Sequence, residues 1–274
     1  MSGSVFSCID ETGALIKQMT KMPALYLGHG APILLEDELW TSQLANWAKQ
    51  IEKPKAILIV SAHWESAPLS LTSIEPTGLI YDFGGFDPKY YNLQYKAPVA
   101  PELAKTITEL LSDTETVVQT NRGLDHGAYI PLMNMYPDAD VPVIQMSMPT
   151  LNPEKLYKIG QKLATLRDQG VLIIGSGFIT HGLPYIDMSD PNSKAPNWSS
   201  DFDLWTKETL SSGNFEELLK FKESAPALNY AHPTVEHFAP IFVTLGASKD
   251  AQSAPQTTID GYWYGLSKRS FQVD

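Results

Sequence analysis

The stretch VLIIGSGFITHG, residues 171–182, joins an uninterrupted apolar run to three glycines and a histidine. A run this apolar, rich in β-branched residues and followed by glycine, is typical of a strand covered on both faces. We predict a strand over 171–179, with His181 just beyond its end. Because helices cover the faces of parallel sheets, the segment predicts an α/β fold.

Segments of the same kind recur along the chain and alternate with segments of helical period. The alternation predicts a single domain over residues 1–274, with 1–20 as an N-terminal extension. We expect a central mostly parallel or mixed β-sheet flanked by helices, with the active site at the strand carboxyl ends. The other predicted strands cover 24–29, 56–63, 69–74 and 141–148. Three helices are indicated by the apolar faces Trp40–Leu44–Trp47–Ala48–Ile51, Leu103–Ile107–Leu110–Leu111 and Leu156–Ile159–Leu163–Leu166.

The composition excludes several classes of partner. The formal net charge of −11 argues against sequence-independent binding to nucleic acid, which depends on clustered Lys and Arg. No apolar run approaches the roughly 20 residues of a membrane helix, so we expect no membrane partner. Cys8 is the only cysteine, so no internal disulfide can form, and we expect a cytoplasmic protein.

Three of the six histidines lie at the ends of predicted strands. His29 ends YLGH, His63 ends ILIVSAH, and His181 follows LIIGSGFI. Ligands of open α/β sheets bind beyond the carboxyl ends of the strands, so we expect these rings to share one site. His126 follows in GLDHGAY, where we place it in a loop before a helix. Any single histidine could equally be a structural one.

The remaining histidines lie in AHPTVEHFAP, residues 231–240. The residues alone leave open whether His232, Glu236 or His237 acts at the site. Periodicity predicts a helix here, with Thr234 as its N-cap and His237 in its first turn. The spacings match neither HExxH nor a Cys/His finger, and the chain lacks a phosphate-binding loop and a GxSxG elbow. The pattern therefore indicates a mononuclear metal enzyme without defining its chemistry.

Six motifs together carry a resemblance to a known family. They extend from about residue 22 to residue 247 and read MPALYLGHGAP, ILIVSAHW, YDFGGF, GLDHGAYIPLMNMYPDADVPVIQMSM, LIIGSGFITHGL and HPTVEHFAPIFVTLGA. In this order they resemble the class III extradiol ring-cleaving dioxygenases, in the subgroup of bacterial and plant DOPA 4,5-dioxygenases. The resemblance implies that a catechol-type ring, such as that of DOPA, is opened with O₂. Both oxygen atoms enter the product, a muconic semialdehyde.

The resemblance also implies roles for individual residues. His29, His63 and His237 would hold the metal, with Fe(II) expected for activity and Zn(II) able to occupy the site. His181 would be the acid/base, and His126 would contact substrate or oxygen. More distant members use two histidines and a carboxylate, which leaves Glu236 as second choice for the third ligand.

Substrate contacts are predicted less directly. We expect His232, Tyr129 and Phe83 to contact the substrate, because aromatic surface suits a planar ring. A carboxylate on the substrate, as in DOPA, would gain from a cation at the pocket mouth. The available cations are Arg122, Lys268 and Arg269. We expect the partners to be a small catechol-type substrate and O₂. We expect the protein itself to be a monomer or a homodimer.

Two other functions stay open at this point. A zinc hydrolase is the rival enzyme, because three histidines and a water also form a zinc hydroxide site. A binding module of the same fold without catalysis is the other, since fold alone does not establish function. Oxygen uptake with catechols distinguishes the dioxygenase from both.

Overall fold

An eight-stranded mixed sheet forms the centre of the protein in its computed structural model, which describes residues 21–75, 78–249 and 253–274. The strands of the sheet are β1 (Ala24–Gly28), β2 (Ala56–Glu65), β3 (Leu69–Thr72), β4 (Val117–Thr120), β5 (Val143–Met148), β6 (Val171–Gly177), β7 (Gln256–Ile259) and β10 (Ser270–Val273). Between β7 and β10, a separate hairpin contains β8 (Tyr262–Trp263) and β9 (Leu266–Ser267). The predicted extension, residues 1–20, lies outside the described residues.

The strands lie in the order β4-β3-β5-β2-β6-β1-β10-β7. The four central strands β5, β2, β6 and β1 are mutually parallel, with Ala24 opposite Ile173 and Ile57 opposite Val143. Strand β3 runs antiparallel to β5, and β10 runs antiparallel to β1. The carboxyl ends of the neighbouring strands β2, β6 and β1 therefore meet at one edge of the sheet.

Helices surround the sheet, and side-chain caps define where two of them begin. Asp37 accepts a hydrogen bond from the Trp40 amide at 2.9 Å, and Asn152 accepts one from the Lys155 amide at 2.9 Å. The helices are α1 (Glu38–Gln50), α2 (Pro101–Leu111), α3 (His126–Met135), α4 (Pro153–Leu163), α5 (Asn197–Ser212), α6 (Phe215–Leu219), α7 (Phe221–Ser224), α8 (Leu228–Ala231) and α9 (Pro240–Ala247).

Two hydrophobic clusters cover the two faces of the sheet. Alternate residues of β2 divide between them: Leu58 and Val60 pack with α2, α4 and α9, whereas Ile57 and Ile59 pack with α1 and α3. All four side chains are buried. The central strands are therefore apolar throughout because both of their faces are covered, which confirms the predicted α/β fold.

Two predicted local features are wrong. His126 is the first residue of α3 and does not lie in the loop before it. Helix α9 begins at Pro240, so Thr234 is not its N-cap and His237 lies in the preceding turn. Proline suits the first turn of a helix, because backbone N–H groups in that turn have no partner within the helix and proline has no N–H group to leave unpaired. Among the described residues, no helix combines the length and apolar character needed to cross a bilayer.

Candidate metal centre

Five of the six histidines gather at the carboxyl edge of the central strands. His29 directly follows β1, His63 lies near the end of β2, and His181 follows β6 by four residues. His126 opens α3, and His237 precedes α9. Ring centroids lie 5.0 Å apart for His29 and His63, 5.3 Å for His29 and His237, and 4.0 Å for His63 and His126. The strand-end histidines predicted to share a site do lie together.

The Nε2 atoms of His29 and His237 both lie close to that of His63, and the grouping of possible ligand atoms within 4.8 Å places His29 and His63 with His126, and His237 with His181 and Glu236. His63 Nε2 lies 3.1 Å from His29 Nε2 and 3.2 Å from His237 Nε2. Imidazole nitrogens bind a metal such as zinc at about 2.0–2.1 Å. Two such nitrogens that subtend an angle between about 90° and the tetrahedral angle at the ion therefore lie roughly 2.8–3.4 Å apart. The observed separations match those of ligands that share one ion.

The Nδ1 atom of His29 has a hydrogen-bond partner that defines the tautomer of the ring. It lies 3.1 Å from the Ser176 hydroxyl, and that hydroxyl donates its own proton to the Gly127 carbonyl. Since a serine hydroxyl has a single proton, His29 must donate to it from Nδ1–H. The neutral His29 ring therefore presents a lone pair, and no proton, at Nε2.

Carboxylates are the partners of the Nδ1 atoms in the rings of His63 and His237. His63 Nδ1 lies 3.2 Å from Asp82 Oδ2, and His237 Nδ1 lies 3.0 Å from Glu236 Oε1. Burial on its own raises the pKa of Asp82, but hydrogen bonds from His126 and His63 outweigh it and hold that pKa well below its usual range. A ring that donates to a carboxylate oxygen from Nδ1 has, when it is neutral, a lone pair at Nε2.

Two of these rings, those of His29 and His237, are held in the uncharged form. Burial, followed by the neighbouring histidines, holds the pKa of His29 and that of His237 well below the usual value, so both rings are neutral. When the Nδ1 protons are donated in this way, neutral rings turn their Nε2 lone pairs toward one another. A cation bound by these lone pairs would satisfy them, so the residues fit a bound metal ion.

The backbone of β6 holds His237 in place. The His237 carbonyl accepts hydrogen bonds from the Phe178 amide at 2.8 Å and from the Tyr26 hydroxyl at 3.1 Å. A Cβ atom on Gly177 would lie 2.1 Å from the same carbonyl oxygen. Glycine at position 177 is therefore required for this close approach of the turn to the strand.

Two further histidines flank the three converging rings. His181 stacks on His237, with ring centroids 3.4 Å apart and planes inclined by 12°. Burial, followed by His232, lowers the pKa of His181 to about 3, so this ring is neutral. On the other side, His126 Nδ1 lies 2.7 Å from Asp82 Oδ1. One carboxylate thus orients His126 and His63 together.

A cavity of about 270 Å³ opens over these rings. His29, His63, His126, His181 and His237 lie in its wall together with Asp82. The rest of the wall is largely apolar or aromatic, and includes Phe83, Phe86, Phe178, Leu183, Ile186, Met188, Trp263, Tyr264 and Leu266. A flat ligand in this space would be surrounded by polar side chains at one end and by apolar side chains along the rest of its length.

Other residues predicted for the site lie elsewhere. His232 is buried behind the cavity, and its Nε2 lies 2.8 Å from the Ile179 carbonyl. Tyr129 is fully buried in the core and, unlike Phe83, is absent from the cavity wall. The substrate contacts of His232, Tyr129 and Phe83 stay predictions.

Sequence reasoning missed two residues that orient the histidines. Asp82 is the single carboxylate of YDFGGF, a motif in which only Phe83 was predicted to act at the site. An acidic residue in an otherwise apolar, glycine-rich motif was the available signal. Ser176 lies inside the opening stretch, and its hydroxyl gives no signal that distinguishes it from other strand serines.

The chain is similar to known ring-opening dioxygenases along most of its length. Residues 23–267 match the family described as the catalytic LigB subunit of aromatic ring-opening dioxygenase. A 4,5-DOPA dioxygenase extradiol from Beta vulgaris is 41% identical over 237 residues, which cover 84% of this chain and 88% of the relative. The protein of that name from Escherichia coli K12 is 35% identical over 272 residues, covering 94% of this chain and 97% of the relative.

The fold is also similar to that of a solved structure. The crystal structure of an uncharacterized protein from Escherichia coli K12 superposes with a TM-score of 0.79 at 32% identity, covering 92% of this chain and 100% of that chain. These matches confirm the family and the enzyme class predicted from the sequence. The chain belongs to the LigB family of metal-dependent aromatic ring-opening dioxygenases.

Proposed function

We propose that this protein opens a catechol-type ring beside its diol with O₂, at a metal held by His29, His63 and His237. The observation that carries the proposal is the close approach of His29 Nε2 and His237 Nε2 to His63 Nε2, with the Nδ1 atom of each ring beside a hydroxyl or a carboxylate. Such a set leaves positions open for ligands, unlike structural zinc sites, which are closed by four protein ligands.

The proposed ion is Fe(II), with Zn(II) as an occupant that supports no oxygen chemistry. When bound, the ion would supply Lewis acidity toward the diol oxygens and a redox route between the diol and O₂. The chain supplies the orientation. Asp82 and Glu236 hold the rings of His63 and His237 by their Nδ1–H groups, and Ser176 holds that of His29.

His181 is the proposed acid/base. Its neutral ring can accept the proton of a diol hydroxyl at a ring nitrogen, and its low pKa favours return of that proton later in the reaction. Stacking on His237 keeps the His181 ring beside the three converging nitrogens. His126, anchored by Asp82, lies on the opposite side, where it can donate a hydrogen bond to substrate or oxygen.

The cavity supports a planar aromatic substrate. Phe83 lies 5.7 Å from His126, between ring centroids, and Phe178 lies 6.4 Å from His29, so aromatic surface borders the histidines on two sides. The relatives from Beta vulgaris and Escherichia coli are named for DOPA, and we propose DOPA as one substrate among catechols.

Oxygen uptake tests the proposal. The metal-free protein is loaded with Fe(II) without oxygen, mixed with a panel of catechols including DOPA and protocatechuate, and then exposed to O₂. We expect oxygen uptake together with a yellow ring-opened product. Hydrolysis of esters or amides by the zinc-loaded protein, with no oxygen uptake by the ferrous protein, would overturn it.

A further inference from the structure

We infer that Tyr264 determines substrate specificity: its hydroxyl donates a hydrogen bond to an acceptor, such as a carboxylate oxygen, on the ring substituent of the catechol. The inference rests on the proposed ring-cleaving function, because it places the diol of the substrate at the histidines. It concerns another part of the same cavity, which contains no proposed metal ligand.

Tyr264 lies in the turn of the β8–β9 hairpin, at a distance from the histidines. Both Tyr264 and the preceding Trp263 line the cavity. A row of ring contacts connects the hairpin to the proposed metal site. Ring centroids lie 4.8 Å apart for Tyr264 and Trp263, 5.4 Å for Trp263 and Trp40, 6.0 Å for Trp40 and Phe178, and 6.4 Å for Phe178 and His29. A substituent that extends away from a diol bound at the histidines can therefore reach the hairpin.

The Tyr264 hydroxyl is accessible and has no hydrogen-bond partner among the described residues. Only 8% of the residue is exposed, and it lines the cavity. By contrast, the hydroxyl of the neighbouring Tyr262 lies 3.4 Å from Asp203 Oδ2, and that of Tyr129 is enclosed in the core. The hydroxyl of a buried tyrosine usually has a hydrogen-bond partner. A ligand in the cavity is the partner that the position of Tyr264 allows.

The backbone at Tyr264 is unusual for a tyrosine. Its φ is +50° and that of Gly265 is +76°, so both central residues of the turn lie in the left-handed region. Two-residue turns of this kind favour Asn-Gly, because a bulky L-residue with positive φ brings its Cβ close to the following carbonyl. Strained residues that a structure holds in place are typical of functional sites. The turn alone would favour asparagine here, so the tyrosine is explained by its side chain.

The surrounding structure holds Tyr264 in this conformation before any substrate binds. The Tyr264 amide donates a hydrogen bond to the Pro191 carbonyl at 2.9 Å. At Gly265, a Cβ atom would lie 2.9 Å from Pro196 Cδ, so the turn packs closely against the loop that precedes α5. The Tyr264 ring packs against Trp263 with the two planes inclined by 66°. A donor fixed in this way loses little conformational freedom when a substrate binds.

The rest of this part of the wall is apolar and includes Leu183, Ile186, Met188 and Leu266. An acceptor on the substituent loses water when it enters such surroundings, and a hydrogen bond from the wall offsets that loss. Among the described residues, the donors here are Tyr264 and the Trp263 indole. The wall contains none of the cations considered for a substrate carboxylate, Arg122, Lys268 and Arg269. The recognised class is thus a catechol whose side chain ends in a carboxylate or carbonyl, and it includes DOPA.

Removal of the hydroxyl alone tests the inference, because Tyr264→Phe keeps the ring and its packing. Three catechols serve as substrates: 3-(3,4-dihydroxyphenyl)propionate and DOPA carry a carboxylate, whereas 4-propylcatechol has no acceptor on its side chain. We expect kcat/KM of the ferrous enzyme to fall about 10-fold for the two carboxylates and by less than about 2-fold for 4-propylcatechol. The loss should appear in KM and leave kcat unchanged, because the hydrogen bond forms equally in the bound substrate and in the transition state. Equal changes for all three substrates, or no change for any, would overturn the inference.

Tyr230→Phe is the matched control. Tyr230 is 52% exposed and does not line the cavity, so this variant loses the same kind of hydroxyl at the surface. We expect its kcat/KM for all three catechols to stay within about 2-fold of the unmodified enzyme. A selective loss for the two carboxylates as large as that of Tyr264→Phe would overturn the inference, because the position of the hydroxyl would then not matter.

Binding to the zinc-loaded protein distinguishes this inference from the proposed function. Calorimetry without turnover should show that Tyr264→Phe binds the two carboxylates about 10-fold more weakly and 4-propylcatechol with unchanged affinity. This pattern without oxygen uptake by the ferrous protein would contradict the ring-cleaving function alone. Oxygen uptake without the pattern would contradict only the role of Tyr264, and absence of binding of all three catechols to the unmodified protein would contradict both.

Discussion

Replacement of Gly127 by alanine tests how closely helix α3 packs against the histidines. A Cβ atom at this position would lie 2.4 Å from Ser61 Oγ, 3.1 Å from His63 Cδ2 and 3.3 Å from His29 Cε1. Gly127 is helical, so alanine suits the backbone and would favour the helix by about 1 kcal/mol. Any loss of stability on substitution therefore comes from the contacts.

The contacts outweigh the gain in helix propensity. Ser61 Oγ accepts a hydrogen bond from the His63 amide at 3.1 Å, so moving this hydroxyl breaks a partly buried bond worth about 1 kcal/mol. Overpacking in a close-packed core adds about 1–3 kcal/mol. We expect Gly127→Ala to lower the free energy of unfolding by about 1–3 kcal/mol. Displacement of His63 and His29 should weaken zinc binding roughly 10-fold to 100-fold.

Urea unfolding of the metal-free protein and competitive zinc titration measure the two effects. Gly84→Ala is the matched control, because a Cβ atom there has no neighbour within 4 Å. Adding Ser61→Ala to Gly127→Ala removes the closest contact, and the double variant should be more stable than the sum of the single effects predicts. Stability and zinc affinity equal to those of the unmodified protein would refute the reasoning.

Three further predictions concern the site and its support. His181→Ala should retain zinc and lose turnover by about 10²–10⁴-fold, because it removes a proton acceptor and no proposed ligand. His63→Ala should lose both the bound metal and turnover. Iron bound stoichiometrically by His63→Ala would contradict the ligand assignment. Asp82→Asn should weaken zinc binding about 10-fold to 100-fold in competitive titration, since it removes the charged acceptor of two Nδ1–H groups; unchanged affinity would contradict its orienting role. Arg269→Met should lower the free energy of unfolding by about 3–5 kcal/mol in urea, because it leaves the Asp203 carboxylate buried and unpaired; a loss below about 1 kcal/mol would show that water reaches that carboxylate.

The sequence indicates the centre of the fold and the strand-end histidines because both are local signals. The apolar runs that form β1, β2 and β6 are buried on both faces, so their composition reports their position. His29 and His63 could be placed at one edge once those strands were known to be parallel.

Long-range contacts were not predictable from the sequence. Asp82 reaches His63 and His126 because Ile80 pairs with Asp125 in an isolated bridge that lays the loop beside α3. Nothing in the loop sequence encodes that pairing.

Helix α5 was not predicted for another reason. Its buried side chains include Ser199, Thr206 and Asp203, which leave little apolar periodicity in the sequence.

The arrangement of the two carboxylates explains how a three-histidine site differs from two histidines and a carboxylate. Glu236 is adjacent to His237 in sequence, yet it hydrogen-bonds the His237 ring and leaves the Nε2 lone pair to the ion. Asp82 does the same for His63. Each negative charge thus lies one imidazole away from the proposed metal position, where it would offset the charge of a divalent ion without occupying a coordination position.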